Sequence, residues 1–135
     1  MEKIKKIILD TNFLLIPAQF RVDIFSEIKR ICDFPYELCV IGGTIEELKS
    51  IQQDREQKGR NKLAAKMGLQ LLKTQKHRVI DVKAQTVDYA IIDYCTNHEN
   101  CILATQDIAL RKKMKELRPK MKFITLRSRK FLKVE

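Results

Sequence analysis

Lys6-Ile7-Ile8-Leu9-Asp10-Thr11-Asn12 is an apolar run that ends abruptly in a carboxylate. A short apolar run beside turn-forming residues predicts a strand buried on both faces. An acid at the exit of such a strand lies where open α/β sheets place their ligands, outside the carboxyl ends of the strands. The reading of the chain therefore turns on whether other acids reach that edge.

Working outward, the first strand spans about Ile4 to Asp10 and leads into Phe13-Leu14-Leu15-Ile16-Pro17, where the proline argues against a long helix. Asp23 is placed to cap a helix whose Ile24, Ile28 and Ile31 share one stripe. Leu38-Cys39-Val40-Ile41 reads as a second strand punctuated by Gly42-Gly43, and Thr44 opens a helix with Ile45, Leu48 and Ile51 inward. The polar stretch from Asp54 to Lys62 predicts an exposed loop or a frayed helix end. A helix from Leu63 to Leu72 follows, with Leu63, Met67, Gln70 and Leu71 on one stripe. Val79 to Val82 is a short third strand, and the helix from Ala84 to about Asn97 has Val87, Ala90, Ile91, Tyr94 and Cys95 at helical spacing. Cys101 to Ala104 is a fourth strand. Thr105-Gln106-Asp107 opens a helix that ends near Leu117, Pro119 stops it, and Lys122 to Leu126 is a fifth strand.

Strands alternating with helices imply a parallel sheet covered on both faces. The expected fold is thus α/β, a three-layer α/β/α sandwich around a parallel sheet of about five strands. It occupies residues 1–135 as a single domain, a length sufficient for a substantial core.

That architecture converts chain order into geometry, because every strand exit and the first turn of the next helix share one edge. Asp10 leaves strand one, Glu47 lies in the first turn after strand two, Asp88 lies in the first turn or so after strand three, and Asp107 follows strand four. Each has an ordinary structural role available. Asp10 can close an Asx turn, Asp107 can cap a helix, and Glu47 can complete a capping box with Thr44. Asp88 suits a helix N-terminus through the macrodipole. Four acids at one edge of an otherwise basic chain are harder to explain singly, since converging carboxylates repel unless a cation or protons neutralise them. Hard oxygen donors with room for water suit Mg²⁺ or Mn²⁺ rather than zinc. Among neighbouring acids, Glu46 points more outward than Glu47. Asp93 lies roughly 7.5 Å further along its helix than Asp88. Asp81 sits within a strand and Asp54 in the polar loop.

The balance of 27 Lys and Arg against 17 Asp and Glu gives a net charge of +10, for which a polyanion is the natural partner. Between Arg111 and Lys133 the only acid is Glu116, so the excess is concentrated in a terminal block. A solvated helix face plus a basic tail accounts for part of it. The four cysteines, Cys32, Cys39, Cys95 and Cys101, form no Cys-x-x-Cys pair, and a zinc site wants tighter ligand spacing than Cys95-x-x-His98-x-x-Cys101 offers. Buried reduced thiols are the expectation. No apolar stretch approaches the roughly 20 residues that span a bilayer, and no signal peptide is evident, so an intracellular, cytoplasmic protein without membrane contact is expected.

An acidic metal cluster inside a basic protein suggests phosphodiester cleavage, the basic surface holding phosphates while one or two metal ions activate a water. Attack by water predicts products with a 5′-phosphate and a 3′-hydroxyl. The segments Ile8-Leu9-Asp10-Thr11-Asn12, Glu46-Glu47-Leu48, Asp88-Tyr89-Ala90-Ile91 and Ala104-Thr105-Gln106-Asp107 resemble the ordered motifs of PIN-domain ribonucleases. The run from Ala104 to Arg111, followed by a strand and Leu126-Arg127-Ser128-Arg129-Lys130, most resembles the archaeal branch related to ribosomal-RNA-processing PIN proteins. The resemblance implies a Mg²⁺- or Mn²⁺-dependent endoribonuclease in which Asp10, Glu47, Asp88 and Asp107 are the catalytic and metal-holding acids. It also implies that Thr105 and Asn12 support the site, and that family members often form homodimers. Tyr89 stands where many relatives have a second Asp, which thins the second metal position.

The basic block yields its own expectation, that Arg111, Lys112, Arg127, Arg129 and Lys130 contact RNA phosphates through shape and backbone rather than a base code. Other readings compete. The haloacid-dehalogenase pattern fails at Asn12, and the receiver pattern fails at the lone Asp10 and at Asp81-Val82-Lys83. A PIN-fold RNA-binding or assembly module that cuts little, and the toxin of a toxin–antitoxin pair, share the same residues.

Overall fold

A computed structural model describes residues 3–135, so the first two residues of the expected domain lie outside that range. The first strand, β1 (Lys5–Leu9), enters a pair of short helices, α1 (Thr11–Leu14) and α2 (Ile16–Phe20), with Pro17 in the first turn of α2. There the missing proline N–H leaves no internal bond unmade. Next come α3 (Ile24–Ile31), β2 (Tyr36–Ile41), α4 (Gly42–Gln53) and α5 (Gly59–Lys73). The chain continues through β3 (Arg78–Ile80), α6 (Val87–Asn97), β4 (Cys101–Ala104), α7 (Ile108–Leu117), β5 (Lys122–Arg127) and β6 (Phe131–Val134). Asp23 caps α3 as expected, its carboxylate accepting from the Ser26 N–H.

The six strands form one sheet in the order β3-β2-β1-β4-β5-β6. All pairings are parallel except β5 with β6. Chain order runs outward from β1 through β2 to β3, then jumps to β4 on the other side of β1. The switch point therefore lies between β1 and β4, where Leu9 pairs with Ala104. Alternate residues of the central strands divide between two cores. Ile7, Leu9, Leu38, Val40, Ile102 and Ala104 pack beneath the first five helices. Ile8, Cys39, Ile41 and Leu103 face the other way, against Ala90, Ile91, Tyr94 and Cys95 of α6 and Leu110 and Met114 of α7. This is the three-layer arrangement read from the sequence, with a sixth strand added.

The structure corrects several details. The segment expected to be a basic tail folds back as β6, through a turn in which Ser128 and Arg129 have φ of 52° and 56° and the Lys130 N–H donates to the Arg127 carbonyl. Two successive positive φ values make a primed turn, usually the province of Asn-Gly, so Ser-Arg gave no hairpin signal. Glu27 of α3 secures the return by accepting the Leu132 N–H at 3.0 Å. The expected stripe on α5 is also displaced. Leu63 and Gln70 are exposed, and the buried face is Ala64, Ala65, Gly68 and Leu72. Small residues face inward because α5 approaches α1 closely, and a Cβ at Gly68 would fall against the Leu14 carbonyl oxygen, well inside contact distance. Gly42-Gly43 begins α4 rather than punctuating it, with Ile41 as N-cap.

Gly68→Ala should therefore overpack the α1–α5 contact and cost about 1–3 kcal/mol in urea unfolding. Gly59→Ala, where a methyl meets nothing within 4 Å, should be neutral or slightly stabilising. Equal destabilisation by the two would refute the close-approach explanation.

Candidate active site

The parallel register places the exits of β1, β2 and β4 side by side. The Asp10 N–H donates to the Ala104 carbonyl, so Asp10 and Thr105 leave the sheet together. Asp10 is only 3% exposed, and both oxygens of its carboxylate accept hydrogen bonds. One oxygen accepts the Thr11 N–H at 2.8 Å. The other accepts the Thr105 hydroxyl at 2.7 Å and the Asn12 side-chain amide at 3.1 Å. The Asn12 carbonyl oxygen in turn accepts the Gln106 N–H at 2.9 Å, and Thr105 Oγ1 accepts the Asp107 N–H at 3.1 Å. Asn12 and Thr105 thus clip the switch-point ends of β1 and β4 into one unit. The Gln106 main chain belongs to that clip, and no side-chain pattern in the sequence identified it.

The other acids approach from helix starts. Asp88 lies in the first turn of α6, which is capped by Thr86 rather than beginning at Ala84. Asp107 is the N-cap of α7, accepting the Leu110 N–H at 3.1 Å. Its capping role and its place at the edge coexist, since the second carboxylate oxygen is not used by the cap. Glu47 falls in the second turn of α4 rather than the first, because the helix starts two residues before Thr44. The capping box open to Thr44 and Glu47 does not form, and Thr44 Oγ1 is buried without a partner. Gly43 allows this early start. A Cβ there would sit 3.2 Å from the Val87 side chain, so a glycine lets the N-termini of α4 and α6 converge.

The acids sense one another. Burial pushes the Asp10 carboxyl above its ordinary 3.8, hydrogen bonds from Thr105 and Thr11 pull it back, and the charges of Asp88 and Glu47 push it up again. Burial and the charge of Asp107 raise Asp88 likewise. Glu47, not Glu46, is the α4 acid felt at Asp10; Glu46 is exposed and 4.0 Å from Lys49. Asp93 turns back to Asn97, Asp54 bonds the Glu56 N–H in the α4–α5 loop, and Asp81 is exposed. The acids share an edge without collapsing into a cage. Among the described residues no three His, Cys, Asp or Glu side chains form a ready chelate. Mutual repulsion accounts for such a spread.

The basic residues behave less uniformly than expected. Lys112, Arg129 and Lys130 are exposed. Arg127 pairs with Glu135, and Arg111 Nη1 lies 3.8 Å from the same carboxylate. Glu135 follows β6, its backbone paired with Phe123, and nothing in the sequence pattern gave it this role.

A parallel α/β sheet with acids gathered at its switch edge defines an α/β domain with an anionic, all-oxygen site. The chain belongs to the PIN-like domain family, whose match covers residues 7–129. It is 34% identical over 111 residues to Ribonuclease VapC4 of Methanocaldococcus jannaschii, spanning 82% of this chain and 83% of that protein. Its fold is similar to the PIN domain endonuclease Utp24, with a TM-score of 0.77 at 20% identity over 96% of this chain and 90% of the other. A domain of a functionally unknown protein from M. jannaschii aligns at a TM-score of 0.56, 16% identity and 92% coverage of each chain.

The raised carboxyls carry a pH signature. In the window above 3.8 the native chain holds more protons at Asp88 than the unfolded chain, so stability falls as pH rises through it. Chelator-treated wild type should lose thermal stability between pH 4 and 7 more steeply than Asp88→Asn, the two slopes converging below about pH 3.8. A steeper slope in the variant would contradict the assignment.

Proposed function

We propose that the protein is a metal-dependent endoribonuclease that hydrolyses RNA phosphodiester bonds at the edge formed by Asp10, Glu47, Asp88 and Asp107. The observation that carries the reading is the buried Asp10, raised by its surroundings and by two other acids, in a chain of net charge +10. A fold that spends stability on clustered carboxylates while its surface is basic has placed a charge where a cation is wanted. The relative named as a ribonuclease supports the same substrate class.

The donor set fits a hard divalent cation, Mg²⁺ or Mn²⁺, because every candidate group offers carboxylate oxygen and the open spread leaves room for water. Such an ion, when bound, would supply Lewis-acid stabilisation of phosphate charge and a more acidic water. The chain's own contributions follow from the geometry. Asp10 is locked in orientation by Thr105, Asn12 and the Thr11 N–H, so little ordering is left to occur on binding. Glu47, Asp88 and Asp107 set the negative field that draws the cation and repels RNA until it is bound. Lys112, Arg129 and Lys130 hold phosphates at the periphery, while Arg111 and Arg127 are partly neutralised by Glu135.

Wild type should cut structured or single-stranded RNA in Mn²⁺ and not in chelator, and Asp10→Asn should lower the rate by more than about 100-fold while remaining folded by circular dichroism. RNA binding without cutting across varied substrates in Mn²⁺ would instead establish a non-cleaving module. Glu135→Gln keeps the strand pairing and frees two guanidinium groups. It should tighten RNA binding and steepen its log–log salt dependence by up to about 1–2 units. Lys112→Ala combined with Arg129→Ala and Lys130→Ala should flatten that dependence, and unchanged slopes in both variants would remove these residues from the interface.

A further inference from the structure

The opposite edge of the sheet, where the strands begin, holds a cavity of about 480 Å³ that the nuclease reading does not use. Its cations are Lys5, Arg118, Lys120 and Lys122, and Glu99 is its one acid. Cys95 and Cys101 both line it. Cys95, on α6, is 1% exposed, whereas Cys101, the first residue of β4, is half-buried and opens to the cavity. The connection between them is well held. Asn100 takes a φ of 66°, His98 stacks on Tyr94 at 4.0 Å, and Arg118 donates to the Thr96 carbonyl at 2.7 Å.

We infer that Cys101 is a thiol–disulfide exchange site for small, carboxylate-bearing disulfides, with Cys95 as the resolving thiol. The cavity supplies access from solvent, and its cationic rim favours an acidic reagent over a basic one. Cys101 packs against the apolar cluster to which Cys95 belongs, and both residues line this one cavity.

The four thiols are not equivalent. Burial pushes Cys32 up to about 11 and Cys39 up to about 12, which leaves them inert. Cys101 is held below the usual thiol range by the hydrogen bond from Cys95 and by the charges of Lys6 and Arg118, against the effect of burial. Only the thiolate is nucleophilic, so Cys101 is the cysteine poised to react.

The exchange balances without any other reagent. The Cys101 thiolate attacks one sulfur of the small disulfide, whose S–S bond breaks as the mixed disulfide forms, and one small thiolate departs. Cys95 then attacks Cys101 Sγ, the mixed disulfide breaks, and the second small thiolate leaves with the Cys95 proton. Two protein thiols are oxidised to one internal disulfide, and the reagent is reduced to two thiols.

The test treats the folded chain with oxidised glutathione and, separately, with cystamine, its cationic counterpart. Intact-mass spectrometry and peptide mapping follow the products. The expected result is a transient adduct on Cys101 alone, resolving to a Cys95–Cys101 disulfide and forming about 10-fold faster with oxidised glutathione than with cystamine. Cys95→Ser should trap the adduct, and combining Lys120→Glu with Lys122→Glu should erase the preference between reagents. Mapping on the wild type decides the matter even if a variant fails to fold. First modification at Cys32 or Cys39, no modification of the native chain, or equal rates with the two reagents would overturn the proposal. These readouts are independent of RNA cleavage.

Discussion

The hydrogen bond from the Thr105 hydroxyl to the Asp10 carboxylate is the contact on which the architecture of the site depends. It joins residues 95 positions apart in the chain and exists only because β1 and β4 lie side by side in parallel register. A carboxylate this deeply buried would ordinarily be too costly to keep charged. Three donors within reach, the Thr11 N–H, the Asn12 side chain and the Thr105 hydroxyl just past β4, offset that cost without supplying a counter-charge. The result is an acid held rigidly in a polar socket, with its charge still unbalanced.

That imbalance propagates along the edge. Asp88 and Glu47 act on Asp10, and Asp107 acts on Asp88, so the helices α4, α6 and α7 are positioned to bring like charges together. Close packing achieves this where charge alone would oppose it. Gly43 lets α4 meet Val87, and Gly68 lets α5 press on the turn that follows Asp10. The fold thus uses apolar burial and glycine contacts to hold an arrangement that electrostatics disfavours.

The two ends of the sheet carry opposite character. At the strand exits, carboxylates gather in a PIN-like domain; at the strand entries, Lys5, Arg118, Lys120 and Lys122 ring the cavity that holds a thiol pair. Parallel strands make such polarity straightforward, because every strand presents its beginning on one side and its end on the other. The terminal hairpin adds a further level of control. By pairing with Arg111 and Arg127, Glu135 removes part of the charge that a count of lysines and arginines would assign to nucleic acid.

Alternating apolar strands and amphipathic helices were enough to determine a three-layer sheet, its strand exits and the four acids that follow them, because burial on both faces writes a local, continuous pattern into Ile7-Ile8-Leu9 or Cys101-Ile102-Leu103-Ala104. Asp23 as a cap and Pro17 as a bar to a long helix were equally local. The tertiary structure decided what depends on distant neighbours: the small-residue face of α5, the early start of α4, the return of β6 through two residues at positive φ, and the capture of two arginines by Glu135. Periodicity reports which residues are buried on average, whereas these features are set by how closely particular elements approach. That distance is fixed only when the whole chain packs.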